Sequence, residues 1–131
     1  MEKQKTRDHT ERLLEIYGYD IDIVEEKQST TISITGQETL HSVNINIPGD
    51  PSSAAYPIVA GLICKNSKLT VKNVLINPTR DGIYRSLKEM GAKIDFINKR
   101  SEAGEDVYDI LVETSHLKSI EVPASRAPSM I

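Results

Sequence analysis

Polar and apolar positions alternate along this chain in two rhythms, one helical and one extended. Over residues 8–17 the apolar side chains Leu13, Leu14 and Tyr17 fall on one stripe of a helix. Thr6 or Asp8 can cap that helix, Asp8 and Glu11 have the spacing of a capping box, and Gly18 can end it in a left-handed conformation. Residues 21–24 and 31–35 then alternate with period two, as half-buried strands do, around a polar turn at Glu25-Glu26-Lys27-Gln28. A third alternating run over residues 43–47 predicts another strand, leading into Pro48-Gly49-Asp50.

Asp50 is placed to cap a second helix, with Pro51 at its first position, where a missing N–H costs little. Ala54, Ala55, Ile58, Val59, Leu62 and Ile63 make this helix apolar over much of its surface, so it should be largely buried. A strand is expected over residues 69–74. A third helix follows, capped by Thr79, carrying Ile83, Leu87 and Met90 inward and stopping at Gly91. Strands over residues 94–97 and 108–112, joined by a polar turn through Gly104, complete the series.

The order of elements repeats. Thr6-Arg7-Asp8 opens one helix and Thr79-Arg80-Asp81 opens another, and at that fixed offset Arg12 matches Arg85, Leu14 matches Leu87, Gly18 matches Gly91, Ile21 matches Ile94 and Asp22 matches Asp95. Eight of nineteen aligned positions are identical. Each copy then runs toward a third strand ending in proline, at Ile47-Pro48 and at Val122-Pro123. Helix caps recur by chance, but a shared register through a helix and the strands after it points to a duplicated unit. That unit reads as strand, apolar helix, strand, amphipathic helix and two strands. One complete copy spans residues 43–112, residues 6–35 form the tail of the preceding copy, and residues 124–131 stand where the next apolar helix should start. The expectation is a chain that begins and stops within repeats.

A length of 131 residues is enough to bury a core. A net charge of −3, with both signs spread along the chain, gives no reason to expect nucleic acid or an anionic membrane as partner. No apolar run approaches the roughly 20 residues that span a bilayer, and the start lacks the apolar core of a signal peptide. The single cysteine, Cys64, sits in an apolar stretch and reads as a buried, reduced thiol, in keeping with a soluble cytoplasmic protein. His41 and His116 stand alone, no His, Cys, Asp and Glu cluster has metal-site spacing, and neither Gly-rich phosphate loop occurs.

Six blocks carry a resemblance to a known family. They are Thr6-Arg7-Asp8-His9-Thr10-Glu11, Pro48-Gly49-Asp50-Pro51-Ser52-Ser53-Ala54-Ala55, Asn77-Pro78-Thr79-Arg80, Lys88-Glu89-Met90-Gly91-Ala92, Gly104-Glu105-Asp106 and Arg126-Ala127-Pro128-Ser129-Met130-Ile131. In this order and spacing the sequence resembles the enolpyruvyl transferase family, in its EPSP synthase branch. The resemblance implies an α/β (α+β) fold of repeated βαβαββ units in that family's inside-out α/β barrel, one complete unit plus part of the preceding one being present here. It also implies a crossover between two domains near Ile47-Pro48, so that residues 1–47 end one domain and residues 48–131 start the other. The implied reaction transfers the enolpyruvyl group of phosphoenolpyruvate to shikimate 3-phosphate, on the route to chorismate and the aromatic amino acids, without a metal or organic cofactor.

Both substrates are multiply anionic, so such a site needs cations and oriented N–H groups. On the residues alone Thr6 is a cap and Arg7 a solvated side chain of the first turn. The resemblance implies that Thr6 and Arg7 bind shikimate 3-phosphate. It places no catalytic residue within these 131 positions, so the chain alone is expected to be an inactive piece, with flanking pieces of the same enzyme as possible partners. His9 reads as a surface histidine, and Thr79-Arg80 as a structural copy of the helix start. Two other readings share the pattern: a sister transferase acting on a UDP-linked N-acetylglucosamine, whose catalytic cysteine loop is not seen, and a non-catalytic α/β interaction module.

Overall fold

The second predicted helix forms the centre of the structure, a computed structural model that describes residues 7–27, 29–36 and 39–130. Asp50 caps it as expected, its carboxylate accepting hydrogen bonds from the Ser53 N–H at 2.8 Å and the Ser53 hydroxyl at 2.9 Å. In chain order the elements are α1 (His9–Ile16), β1 (Ile21–Glu25), β2 (Thr30–Ile34), α2 (Pro51–Ile63), β3 (Lys68–Leu75), α3 (Gly82–Glu89), β4 (Lys93–Glu102) and β5 (Glu105–Glu113). A 3-10 segment, Ala124–Met130, follows and packs on α3. Pro57 lies inside α2 without ending it.

β1 and β2 make an antiparallel pair, while β3, β5 and β4 form an antiparallel sheet with β5 in the middle. The core is built from α2, α3 and this second sheet: Ile58, Leu62, Val74, Tyr84, Leu87, Ile94, Ile110 and Val112 are buried together. α2 can lie close on the sheet because residue 61 is glycine, where an added Cβ would come within 2.8 Å of both Leu69 and Val112. The Tyr84 hydroxyl, taken into the core with its ring, donates to the Pro51 carbonyl at 2.5 Å. By contrast α1 buries none of its residues, and Ile23, Val24, Ile32 and Ile34 of the first strand pair stay exposed.

Both edge strands of the larger sheet are bulged at the same level. The register of β3 shifts between Val71 and Val74 and that of β4 between Ile97 and Arg100, with Asn73 and Asn98 at positive φ. Asp109 of the central strand joins the two bulges. Its carboxylate accepts from the Asn73 N–H at 2.9 Å, the Asn98 amide at 3.0 Å and Arg100 at 3.1 Å. Those bonds, the Asn73 N–H foremost, hold its pKa down to about 2.

Several sequence expectations are corrected. Residues 43–47 form no strand, because no extended neighbour pairs with them; pairing is reduced to one parallel bridge between Gly49 and Val74, and Ile47 is left 86% exposed. Residues 120–123 form no strand either. Asp8 occupies the cap position of α1 but makes no side-chain cap bond, so the expected capping box is absent. Thr79 does not cap α3, which starts three residues later behind Asp81; the Thr79 N–H and hydroxyl both donate to the Asn77 side-chain oxygen, closing an Asx turn. Cys64 is exposed, since it falls past the end of α2 and off the stripe that carries Ile58 and Leu62 into the core.

Candidate functional site

Arg7 stands exposed at the start of α1, one residue before the buried Asp8. Thr6, its companion in the sequence reading, lies outside the described residues. The helix is short and offers its partial positive charge at this end, which together with a guanidinium suits a phosphate or carboxylate group. Asp8 would oppose that, but its charge is turned inward: one carboxylate oxygen takes a hydrogen bond from Arg12 at 2.9 Å and the other from Asn77 at 2.7 Å. The same Asp8 bond, above all other causes, raises the pKa of Arg12.

Asn77 is the hub of this cluster. Its amide nitrogen donates to Asp8 and, at 2.8 Å, to Glu105, while its oxygen accepts both bonds from Thr79. Glu105 uses its other oxygen to meet His9 Nδ1 at 2.5 Å. Arg12 also donates to the Gly104 carbonyl at 3.1 Å, at the left-handed tip of the β4–β5 hairpin, where Ile16 packs beside Gly104. Asp8, Asn77 and Glu105 are 7%, 2% and 6% exposed, so two carboxylates are buried side by side with an arginine, a histidine and a neutral amide between them.

The sequence named Arg7 but not the residues that set its place. Asn77, Gly104 and Glu105 stand out in the sequence only as parts of matching blocks, and His9, expected at the surface, is half-buried against Glu105. The available signals were an asparagine just before Pro-Thr, suited to an Asx turn, and a glutamate following a turn glycine. Three of the six blocks therefore meet here. The other three are joints as well. Arg80 bonds Asp50 and Ser52 at 2.8 Å, tying the block at Asn77 to the block at Pro48. Arg126 grips Glu89 through two nitrogens at 2.6 and 2.8 Å, tying the last block to the one at Lys88.

Among the described residues no three His, Cys, Asp or Glu side chains come together to hold a metal, and no helix is long and apolar enough to cross a membrane. A cleft of about 480 Å³ opens between α2 and the 3-10 segment, beside Tyr56, Arg80 and Met130 and away from α1.

The sequence profile described as EPSP synthase (3-phosphoshikimate 1-carboxyvinyltransferase) matches residues 1–131. A 3-phosphoshikimate 1-carboxyvinyltransferase from Chelativorans sp. (strain BNC1) is 53% identical over 132 residues, covering 100% of this chain and 29% of the relative. The protein of the same name from Zymomonas mobilis is 50% identical over 131 residues, again covering 100% and 29%. Among solved structures, EPSP synthase from Acinetobacter baumannii superposes with a TM-score of 0.86 at 39% identity, covering 98% of this chain and 29% of that one. The chain thus spans about 29% of the length of the curated relatives it matches, its fold is that of the corresponding part of an EPSP synthase, and it belongs to the EPSP synthase family of enolpyruvyl transferases.

Proposed function

We propose that this chain contributes part of the shikimate 3-phosphate site of an enzyme that transfers the enolpyruvyl group of phosphoenolpyruvate to shikimate 3-phosphate. The observation that carries the reading is the match to 3-phosphoshikimate 1-carboxyvinyltransferases along the whole chain, with an exposed arginine at a helix start. In this reading Arg7 binds the phosphate as a charge-assisted donor, and Thr6 adds a hydroxyl beside it. Residues 1–47 close one domain and residues 48–131 open the other. The acid, base and remaining cations come from sequence other than these 131 residues, so the chain alone turns nothing over. Its place is the cytoplasm, with other portions of the same enzyme as its partners. The names of the matched relatives favour shikimate 3-phosphate over a UDP-sugar acceptor.

Phosphate release from phosphoenolpyruvate and shikimate 3-phosphate tests this. The isolated chain should release none, and addition of polypeptides matching the rest of the relatives' length should restore it. Arg7→Ala should then raise the KM for shikimate 3-phosphate about tenfold or more, the scale of one lost charged hydrogen bond. Turnover by the chain alone, or an Arg7→Ala assembly with unchanged KM, refutes the assignment.

A further inference from the structure

α1 is attached to the rest of the chain in an unusual way. None of its own residues is fully buried, and of its apolar side chains only Leu14 and Ile16 are half-buried, Ile16 beside Gly104. What holds its start is the buried polar cluster: Asn77 holds Asp8, Glu105 holds His9, and the Gly104 carbonyl holds Arg12. These bonds cross 69, 96 and 92 residues of sequence, and they reach the cap residue Asp8 and the first turn of α1. Arg7 immediately precedes Asp8.

Every polar valence of the Asn77 side chain is used. Two N–H groups go to two different carboxylates and the oxygen takes two donors from Thr79. The Asx turn fixes which way the amide faces, since its oxygen must meet the Thr79 N–H. The nitrogen is thereby aimed at the gap between Asp8 and Glu105, where its loss would leave one oxygen of each buried carboxylate without its donor, although Arg12 and His9 still meet the other oxygens. An asparagine held in this way is a rigid spacer between the strand side and the helix side of the cluster.

From this geometry we infer that Asn77, together with Glu105, is a positioning residue that sets the direction of Arg7 by clamping Asp8 and His9. Its functional meaning rests on the reading of Arg7 as a phosphate-binding residue. Asn77 itself need not approach a ligand: it lies 2% exposed, and acts through the first turn of α1. Because the clamp joins residues on either side of the proposed domain boundary, it also carries the placement of Arg7 from one side to the other.

The experiment is NMR of the 131-residue chain and of its Asn77→Ala and Asp8→Ala variants. Amide exchange, the Arg7 Nε order parameter and titration with shikimate 3-phosphate are read on each. Asp8→Ala opens the clamp from the helix side while leaving Asn77 bonded to Glu105 and Thr79, so it serves where Asn77→Ala fails to fold. The expected result is a fall of about tenfold or more in the protection of α1 amides, with α2 and β5 little changed, together with a lower Arg7 order parameter. Affinity for shikimate 3-phosphate should weaken about tenfold without a matching change in the melting temperature of the core. Uniform loss of protection along the chain, or an Arg7 order parameter that does not move, overturns the inference. Equal affinity in variant and wild type overturns it too. A wild-type chain that shows the clamp but gives no shift with millimolar shikimate 3-phosphate instead refutes the phosphate reading of Arg7 and leaves the clamp standing.

Discussion

Gly18 and Gly91 end their helices in the same left-handed conformation, with φ of 86° and 92°, at the repeat offset read from the sequence. The likeness extends backward through each helix. The Gly18 N–H donates to the Glu15 carbonyl as that of Gly91 does to Lys88, and Tyr19 returns to Leu14 as Ala92 does to Leu87. Asp8 pairs with Arg12 across one turn as Asp81 pairs with Arg85. Both helices then lead into a strand, β1 in one case and β4 in the other. The duplicated sequence is thus a duplicated backbone, although the two copies are buried to very different depths.

That difference predicts unequal effects of the same substitution. At Gly91 an added Cβ meets nothing closer than the His116 carbonyl at 3.6 Å, so Gly91→Ala costs only the left-handed backbone, about 1 kcal/mol. The loss should appear in the melting temperature, because α3 carries Tyr84 and Leu87 into the core. At Gly18 the Cβ would also approach His41 at 2.8 Å, yet α1 has no fully buried residue. Gly18→Ala should therefore speed amide exchange in α1 while leaving the main melting transition in place. Equal shifts in that transition for both variants would contradict the unequal burial.

Gly61 gives a second test of packing. Alanine favours a helix by about 1 kcal/mol over glycine, so on propensity alone Gly61→Ala should stabilise α2. The methyl group would lie 2.8 Å from Leu69 and from the fully buried Val112, and overpacking of this kind costs about 1–3 kcal/mol. The net outcome expected is a lower urea midpoint with an unchanged slope, and a larger drop for Gly61→Val. A higher midpoint for Gly61→Ala would show that α2 stands off from the sheet.

Asp109 makes stability depend on acid in a definite direction. Its carboxyl is held at about 2 against an ordinary value of 3.8, so the ionised form is the one the fold prefers. The stability it supplies is complete above about pH 4 and is lost as the pH falls through about 2. Asp109→Asn keeps the shape but removes the charge that the Asn73 N–H, the Asn98 amide and Arg100 all address. The variant should melt roughly 5 °C lower at neutral pH and show a shallower decline between pH 4 and 2. Parallel melting curves against pH for the two proteins would rule out this role.

Asp50→Ala removes the cap of α2 and the partner of Arg80 together. Burial opposes ionisation of Asp50, but the Ser53 bonds and Arg80 outweigh it and keep its pKa below the ordinary value. A lost cap costs about 0.5–2 kcal/mol, so a fall of that size in urea stability is expected. Asp50→Asn, which still offers an oxygen to the Ser53 N–H, should recover much of it, whereas no difference between the two variants would assign the effect to charge alone.

The helix and strand segments, their glycine stops, the Asp50 cap and the duplication were all legible in the sequence, because each is written in residues close together along the chain. A period of 3.6 or 2, a side chain bonding three residues ahead, and a glycine free to take positive φ need no distant partner to be recognised. Tertiary structure alone decided whether residues 43–47 found a neighbour to pair with, and which way Cys64 faced. It also turned Asp8 away from capping, because Asn77 and Arg12 offered that carboxylate two donors in a buried setting. The clamp on α1 was decided in the same way: its bonds join residues 69 to 96 positions apart, and which donor meets which acceptor across such a separation depends on how the β4–β5 hairpin and the Asn77 turn come to rest against the helix.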